Sequence, residues 1–188
     1  MDLEKYRAAV DSLPENPFFR TLEPYLPAEG TIVDLGCGTG QGALWLANRG
    51  LTVIAIDNDS EMLALAQAKR SHEQITYVLG DITELPDTPC DSAVAVFSLF
   101  FLPLDKLKTC IEHVRANLAH GGIFAGQLLG PNDDFLNDGA TGLSLEDASQ
   151  LLDHFEVILW DEVERDGKTV WGEPKHWHVH HFIVRQPS

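Results

Sequence analysis

Hydrophobic positions in this chain change their spacing block by block, and each change marks an element. Residues 31–36, 52–57 and 75–80 read as short strands, the third alternating Ile75, Tyr77 and Leu79. Ser92–Ser98 is almost wholly apolar, the pattern of a strand covered on both faces. Helices are expected between them. Gln41–Arg49 is stopped by Gly50 in the usual C-terminal position. The next is capped by Asn58 or Asp59 and buries Met62, Leu65 and Ala66. Pro103 opens a third, in which Leu104, Leu107, Ile111, Val114 and Leu118 fall at steps of 3 and 4. Strand 123–129 follows Gly121-Gly122, and Ser144 with Asp147 resembles a capping box starting a helix to about Asp153. Strands at about 155–163 and 176–185 close the chain, joined by Arg165-Asp-Gly-Lys. Ahead of the first strand, residues 5–13 suit a short helix, and Pro14, Pro17, Pro24 and Pro27 break up the approach.

Strand–helix alternation over the first 130 residues predicts an α/β fold with a doubly wound, mostly parallel, Rossmann-like sheet. A parallel return needs a dozen or more residues, so the short final connection makes the last strand antiparallel.

Residues 31–40 read Thr-Ile-Val-Asp-Leu-Gly-Cys-Gly-Thr-Gly, and 17 residues past Gly40 an apolar run delivers Asp57. A glycine turn and an acidic residue on neighbouring parallel strand ends grip a nucleoside, through backbone amides and ribose hydroxyls. A dinucleotide site wants G-x-G-x-x-G, but here Gly36, Gly38 and Gly40 alternate and Gln41 takes the third glycine's place. Asp34 would also face a phosphate with like charge. The pattern fits a nucleoside carrying a positively charged amino-acid arm.

On these residues the chain resembles the class I S-adenosylmethionine-dependent methyltransferases, whose first motif is similar to Val33-Asp-Leu-Gly-Cys-Gly-Thr-Gly40. The likeness runs over about residues 14–186. It implies a seven-stranded sheet ending in a hairpin, with S-adenosylmethionine as cofactor. It implies that the glycine turn holds the methionine moiety, that Asp57 takes the ribose diol and that Asp81 contacts adenine. It divides the chain into an N-terminal helix and proline-rich cap over the site, 1–30, and an S-adenosylmethionine-binding methyltransferase domain, 31–188. Within the family the chain resembles small bacterial members grouped with the tellurite-resistance methyltransferases. It shares Asn16-Pro-Phe18, Gly126-Gln-Leu-Leu-Gly-Pro-Asn-Asp133 and Lys175-His-Trp-His178 with them. Asn132 and Phe135 stand where relatives commonly carry arginine and tryptophan.

Ligands of open α/β sheets bind outside the carboxyl ends of the strands. With the motif, that rule nominates Asp34, Gly36, Cys37, Gly38, Gly40, Asp57, Asn58, Asp81, Ile82 and Phe97 for the cofactor. Asn16, Phe18, Phe101, Asp133 and Lys175 are nominated for the acceptor. An antiparallel last strand starts at the same edge, which brings Lys175 and His176 to the site. His176 is the candidate base for an oxygen or amine acceptor. The connection holding Trp171 would hang over the same edge as a lid. His176, His178 and His180 share one strand face, but successive same-face residues lie roughly 6.6 Å apart and the outer two roughly 13 Å. Zinc–nitrogen bonds of about 2 Å cannot gather all three. Two could share an ion only with ligands from elsewhere, so no metal is expected. Asp81 has a second reading, as a cap on the segment after it.

A length of 188 residues, 44% of them apolar, suits one domain. No run approaches the roughly 20 apolar residues that cross a bilayer, and Met1-Asp-Leu-Glu-Lys5 has no export signal. Cys37, Cys90 and Cys110 read as reduced thiols, so a cytoplasmic protein is expected, monomer or homodimer. The formal net charge of −16, with only 13 lysines and arginines, disfavours nucleic acid. The Pro-Pro-aromatic tetrapeptide of base-modifying amino methyltransferases is absent from Phe97-Ser-Leu-Phe-Phe-Leu102. The expected function is in-line methyl transfer to a small-molecule acceptor. The rivals are a non-catalytic S-adenosylmethionine-binding protein and a nicotinamide-dependent oxidoreductase.

Overall fold

The computed structural model describes residues 3–84 and 89–188; residues 1–2 of the expected cap lie outside them. Seven strands form one sheet: β1 (Thr31–Leu35), β2 (Thr52–Asp57), β3 (Ile75–Leu79), β4 (Cys90–Ala95), β5 (Leu118–Leu129), β6 (Glu156–Lys168) and β7 (Pro174–Arg185). Their order is β3-β2-β1-β4-β5-β7-β6. The first five run parallel, and β7 lies antiparallel between β5 and β6. Chain order therefore reverses between β1 and β4, where an open sheet leaves its crevice.

Among the described residues six α-helices accompany the sheet: α1 (Leu3–Asp11), α2 (Phe18–Leu22), α3 (Gln41–Ala47), α4 (Ser60–Lys69), α5 (Leu104–Asn117) and α6 (Leu145–Leu151). Side chains alternate between two apolar layers, as a strand's period of two demands. Ile123 and Ala125 of β5 join Ile32, Val94, Trp45 and Leu46 on the α3 face. Phe124 and Leu128 join Leu107, Ile111, Val114 and Leu152 on the α5–α6 face. Burying each large side chain contributes about 1.5–3 kcal/mol, so the apolar stripe of α5 alone anchors its face. Asp59 caps α4, accepting from Glu61 N and Met62 N, and Ser144 caps α6 through Asp147 N.

Two departures from the sequence reading have physical causes. The prolines before β1 start helices as well as interrupting them. Pro17 stands at the N-cap of α2, and Pro24 lies in the first turn of the short helix Glu23–Tyr25. A proline there loses no helical hydrogen bond, and α2 buries Phe18, Phe19 and Leu22. The final hairpin is also longer than expected. Its ladder runs through Arg165-Asp-Gly-Lys to Lys168↔Pro174, and the turn falls at 169–173. Asp-Gly signalled a turn, yet Gly167 sits within the ladder, where a Cβ would come 3.0 Å from Trp177 Cδ1.

Candidate cofactor and acceptor site

At the end of β1 the backbone turns through Gly36, Gly38 and Gly40, with φ of 75°, 54° and 80°. Only glycine takes such angles without strain. A Cβ on Gly36 would overlap Ser98 Cβ, and one on Gly40 would lie 2.5 Å from Tyr77 Oη. A Cβ on Gly38 would meet nothing within 4 Å. The outer two glycines are thus packed, while the middle one opens onto space a ligand could fill. The Ile56 carbonyl accepts from Gly36 N and Cys37 N at 2.8 and 2.9 Å, tying the turn to β2.

Asp57, at the end of β2, reinforces that tie. Its Oδ2 accepts from Gly38 N at 2.7 Å and its Oδ1 from Asp59 N at 2.9 Å. An ionised carboxylate has about four acceptor positions, so two remain for sugar hydroxyls. Asp34 is buried at 3% exposure. Burial, and then the neighbouring Asp57 charge, push its carboxyl up to about 7. A desolvated carboxyl of this kind favours a cation beside it. Burial also drives the Cys37 thiol far up, helped by Asp34 and Asp57, so it stays protonated.

Asp81 Oδ1 accepts from Thr83 N and Thr83 Oγ1, both at 2.8 Å, and these bonds hold its carboxyl below the ordinary value. That is the local cap weighed above, and Oδ2 takes no part in it. Ile82 is buried beside it.

α1 docks on the glycine turn. Gln41 Nε2, from the first residue of α3, donates to the carbonyls of Val10, Asp11 and Leu13 at 3.3, 3.2 and 2.9 Å. Arg70 Nη1 donates to the Thr39 carbonyl at 2.9 Å and to Asp11 Oδ1 at 2.5 Å. The tilted Tyr6 and Trp171 rings meet at 5.7 Å, joining α1 to the hairpin turn. Burial, then the charges of Asp57 and Asp59, raise the pKa of the Tyr6 hydroxyl.

The other half of the edge is made of side chains. Phe97 has a left-handed φ of 58°, costly for a bulky residue, and its N–H donates to Gln127 Oε1 at 2.9 Å. Gln127 Nε2 lies 3.3 Å from His181 Nδ1, and the His181 ring is 5.6 Å from Phe18. The Phe97 ring meets Phe100 and Trp177 edge to face, each at 5.9 Å. Phe135 completes the group at 5.4 Å from Trp177, and Phe101, 55% exposed, forms its rim. Lys175 Nζ sits 4.1 Å from the Phe135 centroid and 3.8 Å from that of Trp177. It is ion-paired with Asp133, both side chains being buried. Asp133 also accepts from Phe135 N and His178 N, at 2.9 Å each. Asn16 acts locally, its Oδ1 accepting from Phe18 N at 3.0 Å.

Lys175 and His176, both expected at the site, separate because neighbouring strand residues face opposite ways. Lys175 enters the aromatic group. His176 meets carboxylates of β6, with Nδ1 2.7 Å from Asp166 Oδ1 and Nε2 3.2 Å from Glu164 Oε1. Asp166, then Glu164, raise its pKa. Sequence reasoning missed Ser98 against the glycine turn, Gln127 under Phe97, and the Tyr6–Trp171 contact. Gln127 and Ser98 lie within stretches whose residues carry other expectations, Gly126–Asp133 and Phe97–Leu102.

Residues 32–122, from β1 through the glycines after α5, match the family model of a methyltransferase domain. Over those residues, just under half of the chain, it is similar to the methyltransferase domains of that family. It is 31% identical to a carboxy-S-adenosyl-L-methionine synthase of Campylobacter concisus over 109 residues, 56% of this chain and 47% of that protein. Across the first curated relatives it matches, the chain spans a third to a half of their length, 33% and 47%. Its fold is similar to that of TehB from Haemophilus influenzae, with TM-score 0.74 and 16% identity over 89% of this chain and 60% of that one. It is also similar to the N-methyltransferase NodS from Bradyrhizobium japonicum, solved with S-adenosyl-L-homocysteine, with TM-score 0.72 and 18% identity over 94% and 91% of the two chains. These two likenesses concern the fold alone. No described helix is long and apolar enough to cross a membrane.

Proposed function

We propose that this protein transfers a methyl group from S-adenosylmethionine to a small, uncharged acceptor. The observation that carries this reading is the opening at Gly38, whose N–H the Asp57 carboxylate holds, together with the desolvated Asp34 carboxyl in the field of Asp57. A cationic nucleoside with sugar hydroxyls suits all three. A pyrophosphate suits none, since it would bring negative charge to two carboxyls. In this reading Gly36, Cys37, Gly38 and Gly40 offer backbone to the methionine arm, Asp34 neutralises its positive charge, and Asp57 with Asn58 takes the ribose. Asp81 and Ile82 border the adenine. When bound, the cofactor supplies a sulfonium methyl group already activated for displacement.

What remains for the chain is to align an acceptor and exclude water. Phe97, Phe101, Phe135 and Trp177 offer ring faces and edges at the adjacent strand ends. Asp133 already neutralises Lys175, so the pocket presents aromatic surface rather than a bare positive charge. That supports a flat or apolar acceptor over an oxyanion. Both nitrogens of His176 are committed to carboxylates, which supports an acceptor atom that needs no base. The segment 1–30 serves as a cap, closing against the hairpin turn through Tyr6 and Trp171. The net charge of −16 argues against a nucleic-acid substrate.

The test is incubation with methyl-labelled S-adenosylmethionine and a fractionated extract. Label is expected in a neutral small-molecule fraction and not in nucleic acid. Label recovered in RNA or DNA would overturn the acceptor class. Cofactor binding with no turnover on any fraction would favour a non-catalytic binding protein.

A further inference from the structure

The outer hairpin gathers a donor set that neither the cofactor end nor the acceptor end uses. Glu162 of β6 and His178 and His180 of β7 each offer one ligand atom, all within 4.8 Å of one another. Glu162 lies directly across the ladder from His180, and Glu164 across from His178. Sequence spacing could not supply this third ligand, because it comes from the neighbouring strand.

His180 Nε2 lies 3.2 Å from the Leu143 carbonyl, which can only accept. That nitrogen therefore carries the ring proton, and Nδ1 keeps a bare lone pair. Nδ1 is buried, has no hydrogen-bond partner among the described residues, and faces Glu162 Oε1 at 4.0 Å. The same oxygen lies 2.8 Å from His178 Nε2. A buried lone pair facing a carboxylate oxygen is an unfavourable arrangement. A cation between them makes it favourable.

We propose that Glu162, His178 and His180 bind one divalent transition-metal ion of the zinc class. Zinc holds nitrogen and oxygen ligands at about 2.0–2.2 Å, so donors of one site lie roughly 3–4 Å apart. Two imidazoles with one carboxylate suit zinc and its neighbours rather than calcium or magnesium, which take oxygen ligands. A ligating histidine usually donates its other N–H to a carbonyl or carboxylate, as His180 does to Leu143. The imidazoles are buried, at 5% and 0% side-chain exposure, while Glu162 is 40% exposed and opens the way in. Three protein ligands leave a position for water. The ion would clamp β6 to β7 beside the acceptor end, because the N–H of His178 holds Asp133.

The experiment is calorimetric titration of untagged, chelator-treated protein with zinc, paralleled by cobalt(II) absorption spectroscopy. One ion per chain is expected, with an intense visible cobalt band of low coordination number. Glu162→Gln, at an exposed position that leaves the core intact, should weaken binding about tenfold or more and dim the band. His180→Gln should do the same. No stoichiometric uptake by the parent protein would overturn the proposal. So would equal affinity in parent and Glu162→Gln, which would place the ion on surface histidines.

Discussion

The two ends of the ligand-binding edge are built from different materials. At the cofactor end, β1 and β2 present backbone: three left-handed glycines, a shared Ile56 carbonyl, and one carboxylate that braces the turn. At the acceptor end, Phe97, Gln127, Asp133, Phe135, Lys175 and Trp177 arrive from well-separated segments and meet through side chains. The first kind of site depends on the main chain and a short motif. The second depends on packing, and changes with single residues. A protein can therefore keep its cofactor while relatives diverge in what they modify.

Mutations should separate the two ends, and the largest effect belongs to the acceptor side. Asp133→Ala leaves the buried Lys175 ammonium unpaired, which should cost about 3–5 kcal/mol of stability. Replacing the pair together, as Asp133→Leu with Lys175→Met, should recover most of that in a denaturant melt. Full stability in the single mutant would show that the pair does not organise this end.

Next comes Asp57→Ala. It removes the acceptor of Gly38 N and, in the proposed reading, that of the ribose hydroxyls, so affinity for S-adenosylmethionine should fall about 10- to 100-fold by calorimetry. Some stability should go with it, since the turn loses its brace. Gly38→Ala sharpens the contrast. A side chain at a left-handed position costs about 1–2 kcal/mol, and its methyl group would project into the open space of the cradle. Cofactor affinity should fall more than stability does.

Asp34 gives a pH test in which two signs oppose. Its folded-state pKa is raised, to about 7. The ligand-free protein should therefore lose stability as pH rises through that value, as the buried carboxyl ionises. Binding of a cationic cofactor favours the ionised form, so affinity should rise over the same interval. Parallel changes would remove Asp34 from the cofactor's charged arm. The smallest effect is expected from His176→Gln: turnover at saturating cofactor should stay unchanged, and a lower kcat with altered pH profile would restore the ring as a base.

The contrast between the ends also explains what could be read from sequence. Val33–Gly40 is one contiguous motif and Asp57 follows it at a fixed spacing of 17 residues, so the turn, its strands and its ligand class were legible from spacing. The periodicity of α5 and the apolar run of β4 were equally plain. The acceptor side was visible only as named candidates. Nothing in the spacing announces that Ser98 packs against Gly36, or that Gln127 bridges Phe97 and His181. Those are contacts across the sheet, set by register. Lys175 and His176 were expected together, and strand alternation parted them. The hairpin misled for a related reason: Asp166-Gly167 carries turn chemistry, but pairing with β7 continues through it.

Cofactor recognition centres on the turn at Gly38 and its partner Asp57 in the proposed function. Titrating the parent protein and Asp57→Ala with S-adenosylmethionine and with NADH tests both at once. One S-adenosylmethionine per chain should bind the parent, weakly or not at all to the mutant, with no heat from NADH. Binding of NADH to the parent, or equal S-adenosylmethionine affinity in the two proteins, would contradict it.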